Sequence, residues 1–388
     1  MKLCRFAILS SVFICFSTAA PAFARTIVVD NDFADCPQAE TNSIQAAVVA
    51  AGPGDKILVC PGVYLETVVV NKSDLRIEAQ AAPGEVELQA PAGPVAPLFG
   101  FHLLNTTLVL VQGFTVHGFA DANIRIEGGS GNTLRKNVTT LSGAGSGIRV
   151  INSSANVVEQ NISFDNLGGA GITVTGALAS NNIIRHNETF LNGQAGLQIV
   201  TSGRGNVLFG NDSHDNPVGL RNVVSAHGNV IENNEVFANV QGIIVGLSTD
   251  VIVRNNRSER NTQFGIRLQN GATNNLVEKN EVFQNDQDGI RLEPVVAAGS
   301  LPVVANIVQL NHVRRNGRDG IRVFNSLAAE NMIERNVLLD NVEHDAHDDS
   351  VGPHTGGTAN HWINNRCGRE NQPGQDENRP GLCETTDH

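Results

Sequence analysis

Arginine recurs at one place in one short motif. Gly147-Ile-Arg-Val150, Gly219-Leu-Arg-Asn222, Gly265-Ile-Arg-Leu268, Gly289-Ile-Arg-Leu292 and Gly320-Ile-Arg-Val323 each carry it second after a glycine. In an extended segment successive side chains take opposite faces. Arg149, Arg221, Arg267, Arg291 and Arg322 therefore point away from whatever their apolar neighbours bury. Thr173, Gln198 and Ile244 hold the same place in the remaining units. A guanidinium is planar, permanently charged and matched to carboxylates, so a row of them suits an acidic polysaccharide such as a uronate polymer. The bland alternative is a solvated strand face, its charge balanced by neighbours such as Glu293.

Asp288 and Asp319 directly precede the glycine in Asp-Gly-Ile-Arg. Brought together on adjacent units, two carboxylates could hold Ca2+, or one could act as a general base beside Arg291 or Arg322. Asp-Gly is also an ordinary turn pair. The densest group of titratable residues is His344, Asp345, His347, Asp348 and Asp349, followed by His354 and His361. It could serve as a cation site or an acid–base pair, but its spacing matches no specific metal motif, and a polar terminal turn is the favoured reading.

These residues ride on a repeat. Between Asn132 and Asn365 the pattern Asn-x-apolar-x-x-Asn returns, with Asp250 and Asn255 standing for the pair in one unit, and the glycine run follows it. A fixed period of this length marks a solenoid. The apolar residues alternate, as in Ile290 and Leu292, and the segments are too short for helices. Coils of three short strands, stacked at about 4.8 Å, satisfy both facts. Each residue then lies over its equivalent, so the asparagines can hydrogen-bond from coil to coil and tolerate the left-handed backbone of a bend. Phe164, Phe190, Phe237 and Phe283 form a partial aromatic column of the same kind.

This pattern resembles the right-handed parallel β-helix superfamily of pectin-lyase-like proteins, most nearly secreted proteins with a NosD-type β-helix domain. The resemblance covers nearly the whole chain after its leader and implies an all-β solenoid. It does not imply one activity, because the superfamily includes lyases, hydrolases, epimerases, esterases and proteins without a known reaction. The polygalacturonase motifs are absent except for Asp348-Asp349. The Asp-Pro-His-Asp of mannuronan epimerases and the Trp-Ile-Asp-His of pectate lyases are missing, and no tyrosine lies in the coils. A copper role, which the NosD name implies, finds a single methionine after the leader, Met332, and no Met/Cys cluster.

Residues 1–24 read as a secretory leader with cleavage after Ala24: Lys2 and Arg5, an apolar stretch, then Ala22-Phe23-Ala24. The expected location is the periplasm or the exterior. The leader holds two of the 27 Lys+Arg residues and none of the 39 Asp+Glu, so the remainder is strongly acidic, which argues against nucleic acid. No other run is long and apolar enough to span a bilayer. In an exported chain, Cys36, Cys60, Cys367 and Cys383 predict two local disulfides, one near each end. Residues 25–64 are expected to form a cap whose short helix runs from Ser43 to Ala51 and which packs Tyr64. Residues 65–365 are expected to form the β-helix, interrupted by loops at 90–97 and 294–302, and 366–388 a disulfide-closed tail, with Trp362 sealing the end. The leading expectation is a monomer that binds acidic polysaccharide through Arg221, Arg267, Arg291 and Arg322 and processes it in a lyase-like reaction. The rival is a non-catalytic scaffold for protein contacts.

Overall fold

The computed structural model describes residues 24–82, 84–224, 226–294, 300–372 and 381–384. The leader up to residue 23, most of the 294–302 loop and much of the tail lie outside the described residues. Strands this short cannot close a hairpin with their neighbours in sequence, so they pair with the equivalent strand one coil on. The result among the described residues is three parallel sheets of 14, 13 and 12 strands, plus a two-stranded pair. One coil contributes Leu276–Glu278, Glu281–Phe283 and Ile290–Glu293, one strand to each sheet. The interior is filled by alternate residues such as Ile266, Leu268, Ile290, Leu292, Ile321 and Val323, all fully buried.

Asparagine ladders hold the corners. The Asn280 side chain donates to the Val253 carbonyl (3.0 Å) and to Asn311 Oδ1 (2.9 Å), while its own Oδ1 accepts from the backbone and side-chain N–H groups of Asn256 (2.9 and 3.0 Å). Two corrections follow. In the coil after Asn234 the ladder position belongs to Asn256, and Val251 stands at the other corner, so Asp250 and Asn255 lie one residue outside the register. The left-handed residue at this corner is also not the ladder asparagine but the one before it, as at Lys279 (φ 54°) and Leu310 (φ 55°). A third ladder, from Asn166 through Asn192, Asn216 and Asn239 to Asn341, runs in parallel and ends on Asp345 Oδ1.

The expected disulfides fasten both ends. Helix Ile44–Ala50 starts at Ser43, whose Oγ accepts from Ala46 N, and Glu66 accepts from the next two free amides, Ile44 N and Gln45 N. Cys36–Cys60 and Cys367–Cys383 are bridged. The buried Tyr64 hydroxyl donates to the Cys60 carbonyl (3.0 Å). Buried Trp362 donates from Nε1 to Asp348 (2.8 Å). The aromatic column gains a member the sequence reading left out: His214 stacks between Phe190 and Phe237, with centroids at 5.1 and 4.8 Å. In the same register Glu259 separates Phe237 from Phe283.

Candidate functional site

The outer face of the 12-stranded sheet carries the arginines in one column. Register pairs run Arg125↔Arg149↔Thr173↔Gln198↔Arg221↔Ile244↔Arg267↔Arg291↔Arg322↔His347. Arg125 escaped the sequence reading because Asn123 replaces the glycine of its unit. These side chains point outward yet lie down: side-chain exposure is 18% at Arg267, 8% at Arg291 and 12% at Arg322. Aromatic rings hold them there. The Arg291 guanidinium lies 4.7 Å from the ring centres of both Phe264 and Phe324, and Arg267 and Arg322 each contact one of those rings at 5.4 Å. Phe264 was legible only as the residue in the place that Asp288 and Asp319 take one and two coils later.

Ion pairing divides the column. Arg267 and Arg291 share Glu293 (2.6 and 2.9 Å), Arg291 also holds Asp288 (2.6 Å), and Arg322 holds Asp319 (3.3 Å) and Asp349 (3.0 Å). Arg221 differs. Its Nη2 donates to Gln198 Oε1, and among the described residues it has no carboxylate partner. Its Nε is buried and unbonded, as are those of Arg149, Arg267 and Arg322, and burial draws its pKa down. Beside it opens a cavity of about 340 Å³ lined by Val218, Arg221, Gln241, Ile244 and Arg267, among others. Val218, Val223 and Ile244 give this depression an apolar floor separate from the core.

At the other end of the column the last coils bring titratable groups together. Asp319 is fully buried and accepts from His344 Nδ1 (3.2 Å) and His347 Nδ1 (2.9 Å); His347 Nε2 meets Asp349 Oδ1 (2.8 Å). Burial works against charge on His347, but the hydrogen bonds and charges of Asp319 and Asp349 outweigh it and hold its pKa above 6.5. Burial likewise opposes ionised Asp319, and His347, His344 and Arg322 outweigh it, leaving its pKa below 3.8. His347 therefore stabilises the fold fully below 6.5 and loses that contribution as pH rises through its raised folded value. On the acid side the pair survives until pH falls through the lowered value of Asp319. The urea midpoint of the wild type minus that of His347→Gln is thus expected to shrink as pH climbs from 6.5. A difference that stays flat over that range contradicts the pairing.

The His344–Asp348 segment does not converge as one metal set. His344 and His347 face outward onto Asp319. Asp345 faces inward to Asn341 and the amides of Gly368 and Arg369, and Asp348 lies buried against Ser350, Asn360 and Trp362. Nor do Asp288 and Asp319 fit Ca2+, which takes six to eight oxygen ligands. Asp288 accepts from Asp319 N and Arg291, and Asp319 from two imidazoles and Arg322. Arg291 and Arg322 thus already occupy the two carboxylates that such an ion would need. A soft copper set is also missing among the described residues: all four cysteines are bridged, and Met332 is the one methionine.

Residues 214–371 match the family profile described as "Periplasmic copper-binding protein (NosD)", and residues 98–236 match "Right handed beta helix region". No curated protein matches the chain. Among solved structures, the mannuronan C-5 epimerase AlgE6 A-module of Azotobacter vinelandii superposes with a TM-score of 0.69 at 17% identity, over 83% of this chain and 94% of that one. A variant of the periplasmic alginate epimerase AlgG gives 0.54 at 15% identity, over 74% and 78%. A complex of XylC with xylose gives 0.58 at 10% identity, over 82% and 84%. Identities this low speak to the fold. No described helix is long and apolar enough to cross a membrane. With three parallel sheets wound coil on coil and both profile matches falling on those coils, the chain has the right-handed parallel β-helix fold.

Proposed function

We propose that this is an exported protein that binds acidic polysaccharide along the outer face of the 12-stranded sheet, with a uronate carboxylate docked on Arg221. The observation that carries this reading is the register column, in which Arg221, Arg267, Arg291 and Arg322 lie on one face while only Arg221 lacks a carboxylate partner among the described residues. A half-buried guanidinium without an anion gains more from one than its paired neighbours do. The apolar floor of Val218, Val223 and Ile244 suits the C–H face of a pyranose ring, and Gln241 and Gln269 offer neutral hydrogen bonds to hydroxyls. Two disulfides fit an oxidising compartment. That the neighbours AlgE6 and AlgG are named as alginate or mannuronan epimerases supports the substrate class.

Arg221→Gln is expected to weaken retention on immobilised alginate or pectate at least tenfold at low salt, while Arg135→Gln, on the 14-stranded sheet, leaves it unchanged. Equal retention of wild type and Arg221→Gln, or no retention of either, overturns the reading in favour of a scaffold.

Processing is a second reading, favoured by the His347 cluster. The four residues first singled out for catalysis divide: Asp288 and Arg291 neutralise each other in a nearly buried pair, whereas Arg322 and Asp319 support His347. In this reading Arg322 faces the substrate carboxylate, Asp349 takes the C5 proton of a bound uronate, the freed electron pair forms the C4=C5 double bond as the C4–O bond breaks, and His347 gives the leaving oxygen its proton. Incubation with alginate or pectate would then generate unsaturated uronate absorbance that His347→Gln abolishes. Retention without any such product leaves binding alone.

A further inference from the structure

A second group of ligand-type side chains lies apart from the arginine column, on the 14-stranded sheet near the closing coil. Glu330 reaches His354 Nε2 with Oε1 (3.0 Å) and His361 Nε2 with Oε2 (3.6 Å). The two imidazole rings lie 3.9 Å apart, centre to centre. Two ligand atoms each about 2.1 Å from a zinc-type ion stand roughly 3.0–3.4 Å from one another in octahedral or tetrahedral geometry; the two carboxylate–imidazole separations lie at and just above that range, and one ligand atom from each residue falls within 4.8 Å of the others.

The backbone fixes these three positions before any ion arrives. Glu330 N donates to Ala359 O (2.8 Å), His354 N to Thr358 O (2.9 Å) and His361 N to Asn331 O (2.9 Å). The Asp319–His344–His347 group has a similar outline, but Arg322 sits on the same carboxylate. Among the described residues Glu330 has no basic partner other than the two histidines. Two nitrogens and one oxygen are a poor set for Ca2+ or Mg2+ and a good one for zinc-like ions, with further positions left to water.

We propose that Glu330, His354 and His361 form a binding site for a divalent transition cation of the zinc type. A bound ion would tie the corner at Glu330 to the 354–361 segment and so fasten the last coil. Calorimetric titration of the untagged full chain with Zn2+ is expected to show one site. His361→Asn and the exposed Glu330→Gln should each weaken it at least tenfold, while His344→Asn/His347→Asn leaves it unchanged. Co2+ in the same site should give a visible absorption that His361→Asn removes and that Cu2+, the tighter-binding ion, displaces. Absence of Zn2+ binding, undiminished binding in Glu330→Gln, or loss confined to the His344/His347 variant overturns the assignment.

Discussion

Replacing Asn280 by Ala is expected to destabilise the protein by about 4 kcal/mol, because one side chain serves four buried hydrogen bonds at once. The Val253 carbonyl loses its donor, and the backbone and side-chain N–H groups of Asn256 lose their acceptor. None of these groups can turn to water, since Asn256 and Asn280 are each 1% exposed. Leaving a buried polar group unpaired costs roughly 1–3 kcal/mol, and the losses accumulate within one network. A solenoid also transmits the damage, because each coil is held only by its neighbours. Hydrogen exchange should show loss of protection centred on the coils of Asn256, Asn280 and Asn311. A urea midpoint within error of the wild type, with unchanged protection there, would mean that the ladders are ornament.

Arg291→Gln has an effect of similar size and separates structure from binding. Asp288 has no exposed surface and Arg291 has 8%. Burial raises the pKa of Asp288, and Arg291 is the main force opposing that rise. Removing the arginine strands a carboxylate in the wall of the sheet, which costs about 3–5 kcal/mol. The double change Asp288→Asn/Arg291→Gln should recover most of the loss, since neither member is then left charged without a partner. A single variant as stable as the wild type, or a double variant no better than the single, refutes the pairing. It follows that removing Arg267, Arg291 and Arg322 together is a poor probe of ligand binding, because instability would mimic lost function.

The repeat made most of the fold legible. Gly-Ile-Arg and Asn-x-apolar-x-x-Asn determine both the coil and the face of each side chain, so the outward column was readable down to Arg322. The ladder slip at Asp250 and Asn255 arose because two asparagines, Asn255 and Asn256, are adjacent and only coil geometry decides which one points inward. The third ladder was present as Asn166, Asn192 and Asn216, five residues after each second asparagine, and went unread. The site was less legible for a physical reason. Whether an arginine is free depends on carboxylates that the next coil supplies: Glu293 reaches Arg267 from one coil on, and Asp349 reaches Arg322 likewise. Nothing in the Gly-Leu-Arg of Arg221 marks it as the unpaired one. The inward turn of Asp345 and Asp348 was half visible, since Asp345 occupies the glycine place of its unit, while its role as the last rung of a ladder needed the fold.

The proposed polyuronate path runs along the column from Arg221 toward Arg322. These residues stand four coils apart, a span of about 19 Å at the sheet spacing of about 4.8 Å. Titration of the full chain with oligouronates of increasing length tests this most directly. Affinity is expected to rise with each added sugar until the chain covers that span, then to level off, to fall with added salt, and to collapse in Arg221→Gln. Affinity independent of length, or equal affinity for a neutral oligosaccharide of the same size, would contradict it.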